Sequence, residues 1–80
     1  MTMRKKEPSL LISFHTTTEA MALEAACQEA GLPGRLIPIP SFVSAGCGFG
    51  WKVSEEAGVR VMDFVREKGL EYEKTGIYLL

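Results

Sequence analysis

Ser41-Phe42-Val43-Ser44-Ala45-Gly46-Cys47-Gly48-Phe49-Gly50-Trp51-Lys52-Val53 is the stretch on which the fold turns. In its second half Phe49, Trp51 and Val53 alternate with Gly48, Gly50 and Lys52, the period of a strand with one apolar face. This predicts a third strand over about Cys47 to Val53, entered from a loop over Ser41 to Gly46. The spacing of Gly46, Gly48 and Gly50 also invites a phosphate-loop reading. That fingerprint must lead from a strand into a helix, and here it leads into a strand. The reading fails on context.

Working back, Arg35-Leu36-Ile37-Pro38-Ile39-Pro40 reads as a second strand after the turn Leu32-Pro33-Gly34. Pro38 cannot donate to a ladder, which places this strand at a sheet edge, and prolines there discourage unwanted pairing. Before the turn lies an alanine-rich helical stretch, Ala20 to Ala30, stopped by Gly31. Its start is a capping box, Thr16 with Glu19 three residues on; Thr17 is a near alternative cap. Ala20, Leu23, Cys27 and Ala30 share one face toward the core, with Glu24 and Gln28 opposite. The first strand is the apolar run Ser9 to Phe14, ending at His15.

Working forward, Ser54 caps a second helix with Glu55 and Glu56 in its first turn, where the helix dipole favours negative charge. Val59, Met62 and Val65 mark its apolar side, widened by Val61 and Phe64, and Gly69 ends it. Leu70 to Leu80 is strand-like, with a bend or bulge expected at Gly76. The order is β-α-β-β-α-β. This is the α+β, ferredoxin-like split βαβ arrangement: a four-stranded antiparallel sheet with two helices on one face. Residues 1–8 read as a flexible charged arm and residues 9–80 as a single domain.

Eighty residues suffice for one small domain with a thin core, for which dimerisation would be a gain. Nine basic and ten acidic side chains leave a net charge of −1, which argues against nucleic acid as a partner. The apolar runs are too short for a membrane helix, and the basic start lacks the apolar segment of a signal peptide. A cytoplasmic protein without a cofactor is expected. The two cysteines then stay free, and one histidine with two distant cysteines makes a poor metal set.

Cys27 falls in the helical pattern and is most simply a small core residue. Cys47 is different. Gly46 and Gly48 remove the side chains that would shield its sulfur, so it is expected exposed and reactive; as the first residue of the strand it would instead be a core plug. In a split βαβ sheet the end of strand one, the start of helix one and the loop between strands two and three lie at one edge. His15, Thr16 and Thr17 are therefore expected beside Gly46-Cys47-Gly48. A helix N-terminus or a basic group lowers a thiol's pKa, and a nearby histidine can act as its base. A loop histidine is more often solvated or capping, so the base role is the weaker expectation. Phe49 and Trp51 are expected to be core rather than a platform for bases.

Several segments together resemble the small prokaryotic selenium/sulfur carrier-like proteins. They are Ile12-Ser13-Phe14, Ala20-Met21, Ala30-Gly31-Leu32-Pro33-Gly34-Arg35-Leu36-Ile37-Pro38, Ser44-Ala45-Gly46-Cys47-Gly48 and Gly76-Ile77-Tyr78. The resemblance spans about Leu10 to Tyr78. It implies a carrier, rather than a stand-alone enzyme, that holds sulfur or selenium as a persulfide or perselenide on Cys47. The implied donor is a cysteine desulfurase or selenocysteine lyase. Arg35 or Lys52 would support the anion if their side chains reach it. Two other readings stand beside this one. One is a ligand-binding or regulatory module using the open sheet face with Gly48, Gly50 and Lys52. The other is a thiolate metal chaperone formed by two Cys47 residues of a homodimer.

Overall fold

The computed structural model describes residues 7–43 and 46–80; Ser44 and Ala45 of the loop, and the expected arm as far as Lys6, lie outside them. Six elements follow in the expected order: β1 (Pro8–Ser13), α1 (Thr17–Ala30), β2 (Arg35–Pro38), β3 (Phe49–Ser54), α2 (Glu55–Lys68) and β4 (Lys74–Leu79). They form one sheet of order β2-β3-β1-β4, antiparallel throughout, with both helices on one face. Pro8, assigned to the arm from sequence, is the first residue of β1 and pairs with Leu79.

Local signals account for the ends of the helices. Thr16, extended at φ −139° and ψ 159°, accepts the Glu19 N–H at 3.2 Å, and Ser54 accepts the Ala57 N–H at 3.3 Å. Gly31 and Gly69 end the helices in the left-handed region, at φ 71° and 66°. Half of the expected capping box is shifted by one residue. The Glu19 carboxylate accepts from the N–H of His15, at 2.8 Å.

The core lies between the helices and one sheet face. Leu10 and Ile12 of β1 stand across the ladder from Val53 and Trp51 of β3. Phe14 joins them, and Leu23 and Cys27 of α1 with Val61 and Val65 of α2 complete the cluster. Pro38 does lie on an edge strand, as its missing N–H requires.

Four expectations about faces and ends are corrected. The buried stripe of α2 is Gly58, Val61 and Val65, and Val59 is 65% exposed. A Cβ on Gly58 would lie 2.8 Å from Leu10 Cδ2 and 3.0 Å from Leu10 Cβ, so α2 settles onto β1 through its one glycine. A pattern that counts apolar side chains assigns that position no value. Ala30, expected on the core face, is exposed at the last turn of α1. The strand expected from Cys47 begins at Phe49, which is 45% exposed. The β1 ladder stops at Gly50, so among the described residues Phe49 is paired with Pro38 alone at the rim. Finally, β4 pairs with β1 without interruption, and Gly76 carries no bulge.

The helix-free face is not bare. Leu11 points there and is nonetheless buried. A Cβ on Gly50 would meet Ile39 Cδ1 at 2.6 Å and Leu11 Cδ1 at 2.9 Å, which shows Ile39 turned back over the sheet beside Leu11. Phe42 follows it, its ring 5.8 Å from that of Tyr78.

Candidate functional site

The topology brings three chain segments to one end of the sheet. β1 ends at Ser13, α1 begins at Thr17, and the loop between β2 and β3 returns beside them. A Cβ on Gly46 would lie 3.4 Å from the His15 carbonyl oxygen and 3.5 Å from its Cα. Thr17 Oγ1 is 3.7 Å from Cys47 Sγ, a contact in which either atom can donate. The expected neighbourhood of His15, Thr17, Gly46 and Cys47 is therefore present. The Thr16 hydroxyl is occupied by the helix cap.

The thiol itself is not bare. Cys47 retains 7% of its surface and belongs to the core cluster that includes Trp51. The flanking Gly46 and Gly48 are exposed, so the glycines open the backbone on the outer side while the sulfur turns toward α1. Phe49 does not cover it, being itself turned out to solvent. Cys27 is fully buried, and burial pushes its thiol pKa up.

His15 is near but otherwise engaged. Its ring is exposed, and Nδ1 lies 3.2 Å from Glu19 Oε1, the same oxygen that accepts the His15 N–H. No hydrogen bond joins its ring to Cys47 among the described residues. Arg35 and Lys52 are not brought to the thiol. They stand opposite each other across β2 and β3 on the helix-free face. From Phe49 to Lys52 alone the strand advances about 10 Å. They line instead a cleft of about 680 Å³ at the other end of the sheet, with Ser9, Gly34, Ser54 and Glu7.

Sequence reading missed Glu73. Its carboxylate accepts the Gly46 N–H at 3.1 Å, and its own N–H donates to the Ser13 carbonyl at 2.7 Å. One residue thus ties the thiol loop to the end of β1. The signal was available in the topology, because the start of an antiparallel β4 must lie at the end of β1. Among the described residues no group of three His, Cys, Asp or Glu is placed to hold a metal ion.

Glu19 is held below the ordinary carboxylate pKa, chiefly by the His15 backbone N–H; the His15 ring adds to this and desolvation opposes it. A depressed pKa contributes stability that is present above the unfolded value and lost as pH falls through the folded one. Glu19→Gln is therefore expected to melt below the wild type at pH 7. The two curves should converge as pH falls below about 4. Thermal melts across that range check it; a difference that persists in acid contradicts the assignment.

Compared with known families, the chain matches over residues 9–77 the one described as "Putative Se/S carrier protein-like". No curated protein and no solved structure matches it.

Proposed function

We propose, from the premise that this chain belongs to the Se/S carrier protein-like family, that Cys47 is the atom-bearing residue and holds sulfur or selenium between two partner proteins. The observation that supports this is the contrast between the two thiols. Cys27 is sealed inside α1's core face. Cys47 lies at the sheet rim between two exposed glycines, with Sγ against the first residue of α1. A helix dipole favours an anion placed beside its first turn.

The transfer balances without an added oxidant. The Cys47 thiolate attacks the outer sulfur of a donor persulfide, R–S–SH. The donor's S–S bond breaks as the Cys47 S–S bond forms, and the donor leaves as a thiol. Selenium follows the same course. The donor class is a cysteine desulfurase or selenocysteine lyase, and the setting is a reducing cytoplasm in which both cysteines stay free. Thr17 steadies the sulfur and Glu73 holds the loop that presents it; Arg35 and Lys52 have no part. Incubation with a desulfurase and cysteine is expected to add one sulfur atom to the intact mass of wild type and Cys27→Ala. Folded Cys47→Ala should gain none. No adduct on wild type, or an equal adduct on Cys47→Ala, overturns the proposal.

A second reading, a binding module for small anions, is favoured by the cleft at the far end. Like charges directly opposite on neighbouring strands repel, and Arg35 and Lys52 stand that way. A melting shift with inorganic phosphate that survives Cys47→Ala and is lost in Arg35→Ala would select it.

A further inference from the structure

The two edges of the sheet are built differently. Just past β2 the Ile39 N–H donates to the Gly48 carbonyl, so the odd-numbered residues of β2 turn their backbone groups toward β3. Leu36 and Pro38 therefore face outward, and Pro38 has no N–H to offer. The edge at β4 has no such block. Glu7 and Leu80 exchange both hydrogen bonds, at 3.3 and 3.1 Å. By the alternation of an antiparallel ladder, Tyr78 and Gly76 then bond to β1, while Thr75, Ile77 and Leu79 direct their N–H and C=O groups away from the sheet. Among the described residues no strand pairs with them.

Two of these three residues also carry uncovered apolar side chains. Ile77, opposite Leu10, lies with Leu79 on the helix-bearing face. There α2 packs over β1 and β3 and stops short of them, leaving Ile77 49% and Leu79 63% exposed. Val59 stands on the flank of α2, and with Leu10, Gly58, Met62 and Ile77 it lines a groove of about 270 Å³. An unblocked edge beside uncovered apolar side chains is the kind of surface that pairs.

We infer that β4 docks antiparallel on β4 of a second copy, about a two-fold axis at Ile77, so that two four-stranded sheets become one. The strand is complementary to itself in this register. Ile77 faces the partner's Ile77, and Thr75 and Leu79 face the partner's Leu79 and Thr75, which uses every outward donor and acceptor. On the opposite face Gly76 stands across from the partner's Tyr78, so no two large side chains compete. Lys74, the one charged residue of β4, falls opposite the partner's Leu80, and no like charges meet. Such a dimer also extends a core that is thin for one small chain.

Light scattering after gel filtration is expected to give twice the 8.8 kDa of the chain. Ile77→Lys, which sets two ammonium groups on the axis, should return it to one copy with its circular dichroism unchanged. The register has its own readout. Residues exchanging both bonds have Cα atoms about 5.5 Å apart, which suits a disulfide. In a Cys47→Ser background Ile77→Cys should cross-link to itself. Thr75→Cys should not, but should cross-link when mixed with Leu79→Cys. A wild type still monomeric at about 1 mM overturns the inference. So does a dimer that survives Ile77→Lys, or cross-links in another register. None of these readouts involves Cys47 chemistry, so their failure leaves the carrier reading standing.

Discussion

Gly34→Ala is expected to destabilise the fold by about 2–6 kcal/mol, a large share of the roughly 5–15 kcal/mol by which such a domain is stable. Two independent costs add. Gly34 has φ +118°, where an L side chain is strained, at about 1–3 kcal/mol. A Cβ there would also lie 2.3 Å from Trp51 Nε1, 2.7 Å from Cε2 and 2.9 Å from the Lys52 carbonyl oxygen. Overpacking of this kind costs about a further 1–3 kcal/mol. The ring has little room to yield, since Trp51 is buried in the core cluster. Among the described residues no hydrogen bond anchors its Nε1, and packing holds the ring in place. A domain this small loses about 4–8 °C of Tm per kcal/mol, so thermal and urea melts resolve the effect easily. Gly48→Ala is the control, because a Cβ there meets none of the described residues within 4 Å. A loss below about 1 kcal/mol in Gly34→Ala would contradict this account of the turn.

The second large effect concerns the thiols. Cys47 is expected to react with iodoacetamide at least about 100-fold faster than Cys27 in the folded protein at pH 7.5. Reaching Cys47 requires release of a rim loop whose hydrogen bonds among the described residues are local or single: Val43 to Pro40, Gly46 to Glu73, Ile39 to Gly48, and Thr17 against the sulfur. Reaching Cys27 requires α1 to leave the core, an opening near global unfolding. At about 5 kcal/mol that is a factor of several thousand. The raised pKa of Cys27 lowers its thiolate fraction as well. Peptide mass spectrometry over a labelling time course measures both sites in one sample. Glu73→Gln, which weakens the hold on Gly46, should speed Cys47 further and leave Cys27 unchanged. Equal rates at the two cysteines would remove the physical distinction on which the carrier proposal stands.

Parts of the site were legible because the topology made them so. Once β1, α1 and the central loop are placed in a split βαβ order, His15, Thr17 and Gly46 must meet. The direction of the Cys47 side chain was not legible. Flanking glycines say that backbone is accessible, and they say nothing of which side of it the sulfur takes. The contribution of Glu73 was hidden for a different reason. Its carboxylate acts on a backbone N–H distant in sequence, and no local pattern distinguishes it from Glu71.

What the chain determined by sequence alone is local and covalent. Thr16, Ser54, Gly31 and Gly69 set the helix ends, the two-residue period made β3 a strand, and the proline without an N–H consigned β2 to an edge. These follow from each residue's own stereochemistry and hydrogen-bonding groups. Tertiary structure alone decided which surfaces meet. The close seating of Gly58 on Leu10 turned Val59 outward, Ile39 covered Leu11 on a face with no helix, and the thiol of Cys47 came to rest against Thr17. Each depends on how segments far apart in the chain share volume, a quantity that no residue possesses by itself.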